Sequence, residues 1–242
     1  VWSRAPINGL LLVLLATLWG GSFVAIEAGV KEWPPLLFAA VRYDLAGALV
    51  LGLAAVRSGR ALPRTRDDLV AVATVAVFVI FGHHALLYVG QETVPGHVAS
   101  AVVALSPVVT ALLAPALLGD GELGGIQYAG VAIGFLGVVA VTNPGSTGGV
   151  PATGTLLVFG ATVAFALGTV LLRRVRPRLS AAALQGWGML AGAGLLHGGS
   201  RVLGEPQALA VSPTGLATLG FLVVGPGVVA FLLYFRLLDS LG

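Results

Sequence analysis

Arg42 lies well inside an apolar run, followed directly by Tyr43 and Asp44. A guanidinium in such a place either receives the carboxylate or phosphate of a substrate or is held by an internal anion. The acids in question are Glu27 and Asp44. Asp44 is two residues from Arg42 and points elsewhere on an ideal helix, whereas Glu27 sits near the end of the preceding run, within reach of a long arginine. Either acid is also a candidate proton carrier.

His83 and His84 are adjacent, so on a helix their side chains diverge by about 100°. One can face a substrate or shuttle protons while the other packs on a neighbouring helix. Neither a His-x-x-x-His nor a His-x-x-x-Glu spacing surrounds them, so no metal and no cofactor is expected. Ser106 precedes Pro107 in another apolar run. The proline removes a helix hydrogen bond and kinks the helix, freeing a carbonyl that Ser106 or a neighbouring helix can satisfy. Ser106 with a histidine would supply the nucleophile and base of an intramembrane hydrolase. No Gly-x-Ser-x-Gly turn accompanies them, which argues against that chemistry. Tyr88, Gln91, Gln185, Trp187 and Tyr234 complete the polar inventory, the Trp and Tyr being equally suited to interfacial or core positions.

The elements holding these residues are set by composition. The chain has 242 residues, of which 57% are hydrophobic and 10% charged; its mean hydropathy is +0.98. A soluble domain carries roughly 25% charged residues, so this chain needs lipid as its solvent. Apolar windows fall at 7–30, 34–56, 69–91, 97–118, 124–143, 153–172, 181–199 and 214–235, each near the roughly 20 residues of a spanning helix. The fold class is therefore all-α, a polytopic bundle with about eight spans. The seventh span is the weakest, because Gly186, Gly188, Gly192 and Gly194 dilute it. Gly130 and Gly134 form a small-xxx-small pair that serves close packing in one bundle or the interface of a homodimer. A pI near 9.8 suits nucleic acid, but the bases sit in short loops beside the spans, so no nucleic-acid partner is expected.

Those bases also orient the chain. Arg4, Arg57, Arg60, Arg64, Arg66, Arg173, Arg174, Arg176, Arg178 and Arg236 fall on one side, and Lys31 and Arg201 on the other. The positive-inside rule then places the amino terminus in the cytoplasm. The turn at Asp120-Gly121-Glu122 has no base, so the rule is silent there. Counting about 1.5 Å per residue, Arg42 lies roughly 12 Å below the outer surface, at a depth shared by His83, His84, Ser106, Trp19 and Ser22. Polar groups at one depth on four spans are costly against lipid and are expected to line a wet cavity.

An internal repeat is visible. Ala85-Leu86-Leu87-Tyr88-Val89 resembles Phe231-Leu232-Leu233-Tyr234-Phe235, and Gly21-Ser22-Phe23-Val24 resembles Gly168-Thr169-Val170-Leu171. Both pairs are separated by roughly 146 to 147 residues. A repeat of five spans inserts its second copy in the opposite sense. The expected units are 1–146, holding spans one to five, and 147–242, holding spans six to eight. Counterparts of spans four and five would need about 47 more residues, and the first residue is Val1, so a fragment of a protein with about ten spans is expected.

Four segments carry a family likeness: Leu18-Trp19-Gly20-Gly21-Ser22-Phe23, Pro35-Leu36-Leu37-Phe38-Ala39-Ala40-Val41-Arg42-Tyr43, Ala85-Leu86-Leu87-Tyr88, and the run from Leu105-Ser106-Pro107 through Thr110 to Ala114. Their order and spacing resemble the drug/metabolite transporter superfamily, specifically its EamA-type members. The resemblance implies two inverted five-helix repeats, a central cavity, and movement of small organic molecules, often outward, without ATP. The expected function is a secondary transporter of a small metabolite in the cell membrane, its partners being that solute and the lipid bilayer. The expected substrate-binding residues are Arg42, Trp19, Ser22, Tyr43, His83, His84, Tyr88, Ser106 and Thr110. A non-transporting membrane scaffold is the other alternative to the hydrolase.

Overall fold

The computed structural model describes residues 5–57, 61–119, 124–142 and 149–241. Arg4, Arg60, the Asp120-Gly121-Glu122 turn and the expected repeat boundary at 146–147 lie outside the described residues, as does the Arg236 side chain. Eight helical spans follow one another: α1 (Ala5–Val30), α2 (Pro35–Arg57), α3 (Arg66–Gly90), α4 (Gly96–Leu118), α5 (Gly125–Thr142), α6 (Ala152–Leu172), α7 (Ala181–Val202) and α8 (213–241). The chain is an all-α polytopic membrane bundle.

Local chemistry sets most of the boundaries. Prolines, whose missing N–H costs nothing in a first turn, stand at or just before the starts of α2, α4, α6 and α8. Thr65, Ser180 and Ser212 accept a first-turn N–H of α3, α7 and α8 respectively. Gly119 and Gly204 adopt φ of 73° and 71° after α4 and α7, the left-handed conformation in which glycine ends a helix without a Cβ clash.

Among the described residues, six of the spans are long and apolar enough to cross a membrane, and α5 is apolar over a shorter stretch, Gly125–Ala140. α7 is long enough but polar-diluted, and it is shielded by packing along α2 and against α3. Its glycines make that packing possible. A Cβ on Gly186 would lie 2.9 Å from Leu51, one on Gly188 2.3 Å from Val75, and one on Gly192 2.4 Å from Ile80. Gly194 faces open space, and of the Gly130–Gly134 pair only Gly134 is packed, against Leu105 of α4.

Two spans contain π-helical turns, Val75–Gly82 in α3 and Gly225–Val229 in α8. In α8 the cause is local, since Pro226 offers no amide to the ladder. In α3 no proline intervenes, and the wide turns lie on the glycine face of α7. α4 is broken at Ala104–Leu105, so it runs as Gly96–Val103 and Ser106–Leu118. Packing joins α1 to α8 and α3 to α6, with α2 and α7 between them.

Candidate functional site

Helix α2 turns Phe38, Arg42 and Ala46 inward on one i, i+4 stripe, and all three are buried. Arg42 is seven residues past Pro35, about 10 Å below that end of the bundle. Its Nη1 donates to the Tyr88 hydroxyl on α3 at 2.8 Å, and its Cζ lies 4.8 Å from the centre of the Tyr43 ring. The Tyr88 ring meets Phe38 edge-on at 5.5 Å. A cation over an aromatic face gains about 2 kcal/mol when desolvated, well short of what a buried charge loses with its water. The guanidinium is therefore only partly compensated. Its Nε is buried and has no acceptor among the described residues.

The two histidines diverge as their adjacency requires. His84 faces α2: its Nδ1 donates to the Ile80 carbonyl at 3.0 Å, which leaves Nε2 of the neutral ring to accept from the Tyr43 hydroxyl. His83 faces α6, where its Nδ1 donates to the Ala161 carbonyl at 2.9 Å and its ring packs on Phe165. The two imidazoles meet edge-on at 4.5 Å. Arg42, Tyr43, His83, His84 and Tyr88 thus form one continuous cluster drawn from α2 and α3 and backed by α6.

Neither expected acid is paired with Arg42. Glu27 bonds Lys31 Nζ at 3.0 Å, and its second oxygen accepts the Gly96 N–H at 2.7 Å. The free N–H groups at the start of α4 are what attract it. Gly96 itself comes so close to α1 that a Cβ would lie 2.7 Å from the Phe23 carbonyl oxygen. Asp44 points away from Arg42, as its spacing demands, and bonds His197 Nε2 on α7 at 2.7 Å. The expectation of an Arg42 ion pair with either acid is corrected accordingly, among the described residues.

Ser106 serves the kink. Its hydroxyl donates to the Val103 carbonyl, the acceptor that Pro107 would have bonded had it an N–H. Thr162 of α6 reaches the Val102 carbonyl beside it at 3.5 Å. Trp19 packs on Phe231 and Tyr234 of α8, with centroids 6.2 and 5.8 Å away, and Ser22 donates to the Trp19 carbonyl of its own helix. Among the described residues, no hydrogen bond or ring contact joins Trp19, Ser22, Ser106 or Thr110 directly to the Arg42 cluster. Gln91 donates to the Phe23 carbonyl, while Gln185 Nε2 is buried without a partner among the described residues.

Each end of the bundle is tied by a carboxylate that sequence reasoning passed over. At the end bearing residues 31–34 and 203–212, Glu205 accepts the N–H groups of Leu36 and Leu37, both at 3.0 Å. Trp33 Nε1 donates to the Ala210 carbonyl alongside, at 2.6 Å. At the arginine-rich end, Asp68 Oδ1 accepts from Arg178 and Leu179 N–H at 2.7 and 3.1 Å, and its Oδ2 from Arg64 and Thr65. There Trp187 Nε1 donates to the Ala61 carbonyl at 2.8 Å. The Thr65-x-x-Asp68 spacing is a legible capping signal; Glu205 has no local signal, because its partners lie far away in sequence. In the turn after α3, burial and the neighbouring Glu205 carboxylate push the Glu92 pKa above its ordinary value.

The comparisons with known proteins agree with this architecture. The chain is 29% identical to the uncharacterized inner membrane transporter YedA of Escherichia coli strain K12, over 97% of this chain and 75% of that protein. It is 26% identical to the uncharacterized transporter YyaM of Bacillus subtilis strain 168, over 96% of this chain and 78% of that one. A solved crystal structure superposes with a TM-score of 0.67 at 23% identity, covering 95% of this chain and 78% of the other, which shows a shared fold. The model of the EamA-like transporter family matches residues 7–143, the stretch that carries Arg42, both histidines and the Pro107 kink. With that match over more than half its length, the chain belongs to the EamA-like transporter family.

Proposed function

We propose that the chain is a secondary transporter which moves a small organic metabolite outward across the cell membrane, by alternating access around the Arg42 cluster. The carrying observation is the cluster itself: five polar side chains, including a guanidinium that has no carboxylate partner among the described residues, enclosed among spans made of apolar residues. A membrane protein keeps such a costly group where it has work to do. Carboxylate ties at both ends of the bundle support alternating access, since a rocking mechanism needs a closure on each side that can be undone in turn.

The internal repeat, with units 1–146 and 147–242, gives that motion its two bodies. A shift of roughly 147 residues lays the π turns of α8 on those of α3. The same shift, to within a residue, relates Trp19, which leans on α8, to Phe165, which leans on α3. The arginines gather at the end where α2 and α6 finish, which supports a cytoplasmic amino terminus.

Reconstitution into liposomes tests the reading. Wild-type protein is expected to pass one or more members of a panel of amino acids, organic cations, sugars and organic acids, and Arg42→Ala to lose about tenfold or more of that flux. If wild-type protein moves none of the panel, the reading is wrong; equal flux in the two proteins would take Arg42 out of the site.

A further inference from the structure

We infer that the solute carries a carboxylate and that Arg42 receives it through the unclaimed edge of its guanidinium; this rests on the transport reading above. A guanidinium offers donors on two edges, and only Nη1 is committed here, to Tyr88. The side-on edge formed by Nε and Nη2 has no acceptor among the described residues, and Nε is buried. That edge presents two parallel N–H donors at the spacing of the two oxygens of a carboxylate, so it is shaped for a bidentate pair.

Charge points the same way. Glu27 and Asp44 are engaged elsewhere, with Lys31 and Gly96 and with His197. The groups around the guanidinium are the Tyr88 phenol, the Tyr43 ring and, beyond Tyr43, an imidazole whose bonds suit its neutral form. A lone cation in a low-dielectric layer attracts an anion and repels a second cation. An amine or a quaternary ammonium without an acid group would add a second positive charge with nothing to offset it. A neutral solute would leave the first one uncompensated.

The neighbours refine the geometry. Tyr88 pins Nη1, which fixes the rotation of the guanidinium and so the direction of the free edge. Tyr43 spends its hydroxyl proton on His84. Its phenolic oxygen therefore offers no proton to compete for the incoming carboxylate.

The test uses matched triads: a carboxylic acid, its primary amide and the amine left when the carboxyl is removed, in aliphatic and aromatic versions, with a phosphate monoester of similar size as a fourth arm. Each is offered to the full-length protein in liposomes, and its effect on thermal stability is read in detergent. The acids are expected to move and to stabilise the protein, with the amides and amines at least about tenfold slower. Arg42→Lys is expected to keep part of the acid flux as a point charge, and Arg42→Gln to lose it. Transport of amides or amines as fast as acids overturns the carboxylate assignment while leaving transport intact, and so does a preference for the phosphate ester. Failure of every solute to move overturns the transport reading and the assignment with it. Should Arg42→Gln fail to fold, the wild-type triads in both assays decide the matter alone.

Discussion

Tyr88 is the residue on which the aim of Arg42 depends. Replacing it with Phe removes the acceptor of Nη1 but keeps the ring against Phe38. A buried charged donor left unpaired costs roughly 1.5 to 3 kcal/mol. Tyr88→Phe is therefore expected to lower the melting temperature and to raise the KM for transport by about tenfold, with stability and flux measured on the same preparation; an unchanged KM would show that the hydrogen bond does not aim the guanidinium. Glu92 gives the residue-scale pH effect. Its pKa is raised in the folded protein by burial and by Glu205, so the unfolded chain releases that proton first. Stability contributed by the protonated form is present below the ordinary carboxylate pKa and falls as pH rises through the raised one. Glu92→Gln is expected to flatten that decline, with a gain of only about 1 °C near neutral pH because the side chain is only partly shielded from water. Melting curves at pH 4 and pH 7 check the sign.

At the scale of the element, α7 shows how a span survives poor hydropathy. Three of its glycines meet Leu51, Val75 and Ile80 at distances that leave no room for a Cβ, so α7 lies close against α2 and the π turns of α3. Gly188→Ala is expected to force α7 from α3 at a cost of about 1 to 3 kcal/mol. Gly194→Ala, with nothing within 4 Å, should leave stability unchanged or slightly higher through its better helix propensity. Thermal unfolding of the two variants side by side tells packing from propensity: equal losses would mean that the glycines act through the helix itself.

For the whole molecule, the two carboxylate ties predict a directional response. The sequence has no cysteine, so a single reporter such as Ala46→Cys, buried one turn below Arg42, can be labelled without background. Asp68→Asn weakens the tie to Arg178 and Leu179 and is expected to raise labelling by an impermeant maleimide roughly tenfold from the arginine-rich side alone. Glu205→Gln should do the same from the opposite side. Labelling that rises on both sides, or on neither, would argue against the two ties as separate closures.

Residue order alone determined the helical class, the number of spans and the kink with its Ser106 compensation. Each rests on local quantities: the cost of placing polar groups in lipid, the missing amide of proline, and the reach of a side chain one turn away. It also marked Arg42 and the two histidines, because polar groups inside an apolar run are conspicuous in one dimension. The partners were decided only by the packed molecule. Tyr88 rather than Glu27 or Asp44 holds Arg42, His197 takes Asp44, and Glu205 reaches across the chain to the start of α2. Those pairings depend on the crossing and rotation of helices far apart in sequence, set by glycine contacts and π turns that hydropathy does not encode.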